Sequence, residues 1–217
     1  MSDQEAEPPP RREPILKAPW PITVLLGALI GAFVWQSLLA GPEVYGRFGF
    51  VPADLEVGRW TGLVTALFLH GGFVHLAMNA VAALAFGAPV ARYLGLGGRG
   101  ATVFFLFYLA CGVVANYAFA RIHPGLDAVL VGASGAVFGL IGAATRLLVG
   151  RGRLAPVFQR QVMGMSAAWI GVNLLIAVLG FAPGMEGAVV AWEAHVAGFV
   201  AGLLLIGPFA WLAGRRD

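Results

Sequence analysis

Long apolar runs separated by short polar connections dominate the pattern of this chain. Each run is roughly 18–24 residues long, which is enough for an α-helix to cross a bilayer at a rise of about 1.5 Å per residue. The pattern therefore predicts an all-α membrane protein with six transmembrane helices, called here the first to sixth spans. They cover residues 20–40, 73–92, 101–120, 132–149, 162–181 and 189–212.

The segments outside these runs divide the chain into a tail and one membrane domain. Residues 1–18 combine alternating charges with a proline triplet, a composition that does not form a core, and are predicted to be a disordered tail. Because this tail carries no cleavable-signal pattern, the first span is predicted to remain as an anchor, and residues 19–217 form the membrane domain. Residues 43–72 mix charged and aromatic side chains and predict an interfacial loop with short helical pieces.

The composition indicates that lipid is part of the solvent around the folded chain. Hydrophobic residues make up 59% and charged residues 12% of it, and the mean hydropathy is +0.82. Soluble domains are about 25% charged, and a soluble core of this size would not bury so much apolar surface. The net charge of +3 comes from short scattered basic clusters, so no nucleic-acid partner is predicted. The one cysteine, Cys111, rules out an internal disulfide and is predicted to be inert packing in the third span.

The distribution of basic residues predicts how the spans are oriented. Eleven of the 14 arginine and lysine residues lie in the tail, the second–third and fourth–fifth connections and the C-terminus. Positive residues accumulate on the cytoplasmic side, so both termini are predicted to be cytoplasmic. Arginine greatly outnumbers lysine, and alanine and glycine abound, which favours a bacterial source and the bacterial inner membrane.

Three polar side chains are predicted to share one depth near the outer face of the membrane. With this orientation the second, fourth and sixth spans all enter from that face. His75 is in the first turn of the second span, Ser134 in the first turn of the fourth, and His195 about two turns into the sixth. At the rise of an α-helix, all three lie within roughly 10 Å of the outer boundary. Ionisable groups inside a bilayer face partners or water, and the partners predicted here are one another.

Glycine spacing indicates that the fourth and sixth spans are in close contact. Gly135 and Gly139 lie one turn apart on the fourth span, as do Gly198 and Gly202 on the sixth. Small residues at this spacing let helix backbones approach closely in lipid. Such a crossing brings the Ser134 hydroxyl within reach of a histidine nitrogen that can act as a general base. The alternative is that the glycines only pack helices, which leaves unexplained why a serine and a histidine precede them.

The second span offers hydrogen-bond donors to the same layer. His75 and Asn79 are four residues apart and project from one helix face, an arrangement that suits a developing oxyanion. The N-terminus of the fourth span adds free backbone N–H groups, including that of Ser134. Glu193 lies about 200° around the helix from His195, so the sequence predicts a Ser–His dyad and not a triad.

Other interpretations of the polar residues stay open. His70, His75 and His195 could together ligate zinc, but no cysteine or carboxylate near them has ligand spacing, so no metal or cofactor is predicted. Asn79 could be a polar residue that joins helices. A transporter with a polar midplane site is kept open by two further polar residues within spans, Asn116 and Asn173.

Three segments resemble the rhomboid family of intramembrane serine proteases in their order, separation and placement on the second, fourth and sixth spans. They are His70-x4-His75-x3-Asn79, Gly132-x-Ser134-Gly135 with Gly139, and Ala194-His195-x2-Gly198-x3-Gly202. The similarity covers about residues 40–214 and implies a six-helix rhomboid-like bundle.

The resemblance also implies roles for individual residues. Ser134 would be the nucleophile and His195 its general base, while His75, Asn79, Gly132 and the Ser134 amide would form the oxyanion-binding site. Phe138 is similar to the aromatic residue that packs on the catalytic histidine. The implied reaction is cleavage of peptide bonds in or beside transmembrane segments of membrane proteins.

Some features depart from the family or extend beyond the catalytic residues. Arg59-Trp60 stands in reversed order in the first loop, and Ala91 replaces a glutamate often found near the end of the second span. The fifth span and the connection after it, with Gly180 and Gly184, resemble the lateral gate through which substrates enter. The alternative function is that of a catalytically silent relative that binds transmembrane clients. The sequence indicates no oligomeric state.

Overall fold

The computed structural model describes residues 18–41, 43–180 and 191–215. Most of the predicted tail and Gly184 of the predicted gate therefore lie outside the described residues. Within them the chain forms helices and connecting turns, with one isolated pair of bridged residues. The α-helices are α1 Trp20–Leu38, α2 Val44–Phe48, α3 Gly62–Thr65, α4 Phe73–Leu94, α5 Gly98–Ile122, α6 Ser134–Val149, α7 Arg160–Val178 and α8 Trp192–Leu212.

Five of these helices are long and apolar enough to cross a membrane: α1, α4, α5, α7 and α8. They correspond to the predicted first, second, third, fifth and sixth spans. Helix α6, the predicted fourth span, is apolar but has only 16 residues, about 24 Å of helix. The prediction of an all-α, multi-pass membrane bundle is thus confirmed, with α6 shorter than a full span.

Helix α6 is short because protein, and not lipid, surrounds it. Eleven of its 16 residues are buried, and it packs against α4, α5, α7 and α8. A helix on the lipid-facing surface must match the thickness of the hydrocarbon, since its ends would otherwise expose backbone polar groups to lipid. A helix enclosed by neighbours does not, so α6 is free to begin below the membrane surface.

The most extensive packing in the fold joins α6 to α8, backbone against backbone. A Cβ atom added at Gly198 would overlap the carbonyl oxygen of Gly135, and one added at Gly202 would overlap that of Gly139. The close crossing expected from the glycine spacing is therefore present. Helices in lipid have no hydrophobic driving force to associate. The close approach of small residues therefore allows the van der Waals contacts that hold the two helices together.

The loop between α1 and α4 contains short helical pieces, as predicted, and is attached to the segment that leads into α6. It holds α2, α3 and two 3-10 turns, Pro52–Val57 and Ala66–Phe68. Phe50 and Leu130 exchange backbone hydrogen bonds of 2.9 and 2.7 Å, and the Gly132 amide donates to the Ala66 carbonyl at 2.9 Å. The loop therefore fixes the position at which the chain enters α6.

The residues that depart from the family pattern have ordinary structural partners. Arg59 pairs with Asp54, while Trp60 stacks on Tyr117 with ring centroids 6.5 Å apart, so the reversed residues contact different parts of the loop and α5. Ala91 is fully buried in α4. The side chain of Asn116 donates to the Leu63 carbonyl at 3.0 Å, which explains a polar residue inside α5 without a transport site.

We predict that Gly202→Ala destabilises the fold, because the new methyl group collides with the backbone of α6. Overpacking of this kind costs about 1–3 kcal/mol, and each kcal/mol lowers Tm by roughly 2–4 °C in a chain of this size. Thermal unfolding in detergent measures the change.

Gly31→Ala in α1 is the matched control for this prediction. An added Cβ there meets nothing within 4 Å, so Tm should stay close to that of the wild type. Equal Tm values for the two variants would contradict the role assigned to the α6–α8 contact.

Candidate active site

Ser134 and His195 lie side by side, borne by the two helices that are packed most closely. Ser134 is the first residue of α6, and its Oγ lies 2.8 Å from Nε2 of His195. His195 is in the first turn of α8 and not two turns in, because the helix begins at Trp192, later than predicted. The structure therefore brings the predicted serine and histidine within hydrogen-bonding distance.

The other ring nitrogen of His195 faces a residue whose contact the sequence did not predict. Nδ1 of His195 lies 2.9 Å from Oδ1 of Asn173 in α7, and Nδ2 of Asn173 donates to the Trp192 carbonyl at 3.1 Å. The position of Asn173 along the fifth span is the signal in the sequence that could have pointed to this residue. Asn173 is eight residues from the predicted outer end at 181, about 12 Å, which is close to the layer of the other polar groups.

Phe138 holds the face of the His195 ring. The two rings are stacked with centroids 4.4 Å apart and an angle of 7° between their planes. Phe138 lies one turn after Ser134 on α6, so the same helix supplies the hydroxyl and the aromatic surface. Together with Asn173, this stacking fixes both the position and the rotation of the imidazole.

His75 lies against the backbone just before Ser134. Gly132 has φ +131°, a conformation that favours glycine, and a Cβ atom there would lie 2.7 Å from Cε1 and 2.8 Å from Nε2 of His75. The site thus needs glycine at this position for two reasons. No side chain caps α6, so the first-turn N–H groups, including that of Ser134, have no partner within the helix.

Asn79 is buried on α4, but its described hydrogen bond stays within that helix. Its Nδ2 donates to the His75 carbonyl at 3.1 Å, one turn earlier. The shared helix face predicted for His75 and Asn79 is therefore present, whereas the structure describes no hydrogen bond between Asn79 and Ser134. The second amide proton of Asn79 is still a possible donor.

The His70 ring packs against the His75 ring. It is fully buried, the two rings meet edge to face with centroids 5.1 Å apart, and neither His70 ring nitrogen has a described hydrogen-bond partner. Gln36 holds its backbone in place, since Oε1 of Gln36 accepts from the His70 amide at 3.0 Å. Burial, and next the proximity of His75, lower the pKa of His70 to about 4, so its ring is neutral near pH 7.

Two alternatives from the sequence can be compared with this geometry. Among the described residues no group of three or more His, Cys, Asp or Glu side chains is placed to hold a metal ion, His70, His75 and His195 included. Glu193 lies 3.1 Å from Nε2 of His123 and points away from His195, in agreement with its predicted position on the helix. Cys111 is buried in the core against Gly139.

The fold and this site together define a multi-pass helical membrane protein with a serine–histidine contact between the first turns of two closely packed helices. Comparison with known proteins identifies its family. The rhomboid-domain profile matches residues 57–211, and the rhomboid-family protein YdcA of Bacillus subtilis is 31% identical over 188 residues that cover 85% of each chain. The chain belongs to the rhomboid family.

Two further relatives are longer than this chain. RHOMBOID-like protein 5 of Arabidopsis thaliana is 28% identical over 185 residues, which cover 83% of this chain and 55% of that protein. Rhomboid protease GluP of Bacillus subtilis is 32% identical over 166 residues, which cover 73% of this chain and 29% of that protein. The chain therefore spans about half of the first and less than a third of the second.

We predict that His70 makes the fold sensitive to acid. Its folded pKa of about 4 lies below the ordinary value of 6.5, so the stability that its neutral ring provides is complete above pH 6.5 and is lost as the pH falls towards 4. The loss reaches up to about 3 kcal/mol. His70→Phe, which replaces the buried imidazole by an apolar ring, should flatten the dependence of Tm on pH in this window.

His123→Phe is the control for this prediction, because His123 is a partly exposed histidine that pairs with Glu193. That variant should keep the acid sensitivity of the wild type. The prediction is wrong if His70→Phe loses as much Tm between pH 7 and pH 4 as the wild type does.

Proposed function

We propose that this chain is an intramembrane serine endopeptidase that cleaves peptide bonds in or beside transmembrane segments of membrane proteins. The observation that carries the proposal is the 2.8 Å contact between the Ser134 hydroxyl and Nε2 of His195, within a membrane protein of the rhomboid family. A hydroxyl becomes a useful nucleophile when a neighbouring base takes its proton, and the imidazole is placed to do so. The two residues form a catalytic dyad.

The reaction proceeds by acyl transfer. Oγ of Ser134 attacks the carbonyl carbon of the scissile bond while Nε2 of His195 takes the hydroxyl proton. The tetrahedral intermediate collapses as His195 returns this proton to the leaving amine, which breaks the C–N bond and leaves an ester on Ser134. His195 then takes a proton from water, the hydroxide attacks the ester carbonyl, and the acid product leaves as Ser134 is protonated again.

The oxyanion of each tetrahedral intermediate needs hydrogen-bond donors beside Ser134. We assign this role to the Ser134 amide, the His75 ring and the free amide proton of Asn79. The open N-terminus of α6 supports the assignment, because its unpaired N–H groups and positive dipole end favour negative charge. Gly132 supports it as well, because the lack of a side chain lets the His75 ring approach the backbone.

Substrates reach the dyad from the side of the bundle, past α7. Only Val162, Ser166 and Asn173 of this helix are buried, and a ring contact of 5.2 Å between Trp169 and Phe86 links it to α4. A helix with so few buried residues separates from its neighbours at lower cost than α6 would. Helix α7 is therefore the helix that moves aside when a transmembrane substrate enters.

The positive residues support a placement for the whole chain. We propose that both termini are cytoplasmic in a bacterial inner membrane, with the site near the outer face and residues 1–18 forming a tail outside the membrane domain of residues 19–217. Water then reaches the acyl-enzyme from the outer side. No step of the proposed reaction calls for a metal or a cofactor.

A catalytically silent rhomboid-like protein that binds transmembrane clients is the second candidate. The presence of both Ser134 and His195, in contact, favours the enzyme, since a silent relative has no need to keep this pair together. The two candidates make opposite predictions for a reagent that reacts with activated serines.

We predict that a fluorophosphonate probe labels the wild-type protein in detergent and that Ser134→Ala and His195→Ala abolish the labelling. Both variants should also lose cleavage of a membrane substrate with a destabilised transmembrane helix, by at least about 1000-fold, because the nucleophile or its base is gone. In-gel fluorescence and a cleavage assay measure these losses.

Ser37→Ala is the matched control, since Ser37 is exposed on α1, away from the site, and should label like the wild type. Labelling that persists in Ser134→Ala would show that the nucleophile is another residue. A folded wild-type protein that binds a client but neither labels nor cleaves would establish the silent alternative.

A further inference from the structure

The side chain of Asn173 is engaged at both ends with the start of α8. It is buried, with 3% of its surface exposed, and it is carried by α7 and not by the helices of the dyad. Its Nδ2 is 3.1 Å from the Trp192 carbonyl oxygen, and its Oδ1 is 2.9 Å from Nδ1 of His195. No role in catalysis follows from the dyad alone for a residue at this position.

The hydrogen bonds around Asn173 determine which nitrogen of His195 carries the proton. A backbone carbonyl only accepts hydrogen bonds, so the amide group of Asn173 must turn its NH2 towards Trp192. Its oxygen, which also only accepts, then faces Nδ1 of His195, so the hydrogen bond requires a proton on Nδ1. In a neutral imidazole the lone pair is consequently on Nε2, the nitrogen that faces the Ser134 hydroxyl.

The opposite tautomer would be unproductive. With the proton on Nε2, the ring would present an N–H to Ser134 and would have no lone pair to take the hydroxyl proton. Phe138 does not discriminate between the two tautomers, because a stacked ring contacts the face of the imidazole and neither of its nitrogens. Among the described hydrogen bonds of the His195 ring, only the one to Asn173 fixes the tautomer.

We propose that Asn173 is a positioning residue that holds His195 in the tautomer with a free Nε2 and so makes it a base for Ser134. The inference rests on the proposed function and deepens it: the dyad acts with a third, neutral residue. Asn173 touches neither the substrate nor the reacting atoms and acts through His195 alone.

The competing explanation is that Asn173 only joins α7 to α8, as polar residues commonly do between membrane helices. That role requires the hydrogen bond to Trp192 but is indifferent to the tautomer of His195. It predicts that loss of Asn173 weakens the fold or substrate binding and leaves the reactivity of the folded site unchanged.

The test compares three variants. Asn173→Leu keeps the size and removes the acceptor, Asn173→Asp keeps an acceptor oxygen, and Asn116→Leu removes a buried asparagine in α5 that bonds to the Leu63 carbonyl. The readouts are the rate of fluorophosphonate labelling, kcat and KM for a membrane substrate, and the 15N NMR spectrum of His195 in detergent.

We expect Asn173→Leu to lower kcat and the labelling rate by at least about 10-fold, with KM nearly unchanged. The roughly 10,000-fold loss that a wrong histidine tautomer causes in a serine protease triad is the upper bound. Asn173→Asp should recover most of the labelling rate, and Asn116→Leu should stay within about 2-fold of the wild type, since it leaves the tautomer untouched. The 15N spectrum should show a protonated Nδ1 in the wild type and a shift towards protonated Nε2 in Asn173→Leu.

The proposal is overturned if folded Asn173→Leu labels at the wild-type rate, or if its loss of kcat occurs with an unchanged 15N pattern of His195. A wild-type spectrum with the proton on Nε2 would overturn it even if Asn173→Leu does not fold. Failure of the proposed function looks different, since the wild type would not label at all, while its His195 spectrum would still report whether Asn173 sets the tautomer.

Discussion

The contact between the backbones of α6 and α8 is the constraint on which the rest of the structure depends. Gly198 and Gly202 pack directly on the carbonyl groups of Gly135 and Gly139, and larger side chains would force the helices apart. Ser134 immediately precedes the first glycine of one helix, and His195 lies one turn before the first glycine of the other. The packing of the helices therefore sets the distance between the hydroxyl and the imidazole, so the same residues that hold the fold together also build the site.

Polar side chains within a membrane must also be shielded from lipid, and the central position of α6 among its neighbours provides this shielding. Its neighbours α4, α5, α7 and α8 separate it from lipid, and the interfacial loop fixes the chain just before it through the Phe50–Leu130 bridge. These surroundings allow a helix of 16 residues to begin at a depth where a lipid-facing helix would leave N–H groups unsatisfied. The open N-terminus that results is the feature that suits an oxyanion.

Most of this arrangement could be predicted from the sequence, because lipid restricts what a chain can do. Long apolar runs must be helices, and glycine pairs indicate which helices touch. Counting residues at a fixed rise placed Ser134 correctly in the first turn of its helix, but it placed His195 too far into α8. The ends of the helices were harder to predict. The fourth span was expected to start at Gly132, but φ +131° there is incompatible with a helix, and α6 starts at Ser134. Hydropathy does not report such a local backbone requirement.

The contacts of side chains that depend on helix rotation could not be predicted. Asn79 shares a face with His75, yet its amide donates back to the His75 carbonyl within α4, which the spacing does not predict. Asn173 was noted as a polar residue in a span, but α7 carries no two glycines one turn apart that would indicate its rotation against α8. The residue with the most informative hydrogen bonds in the site was therefore the one for which the sequence offered only a depth.

The location of Asn173 on α7 has a consequence for the proposed mechanism. In that mechanism the helix that gives way to a substrate is also the helix that carries Asn173, and only two other residues of α7 are buried. An outward displacement of its outer end would break the hydrogen bond to Nδ1 and leave Nε2 free to take up the proton. In that open state Ser134 would lack a base and would be less reactive towards any peptide bond that happens to approach. Reactivity would return only when α7 packs against α8 again, so this arrangement would couple closure of the bundle to activation of the serine.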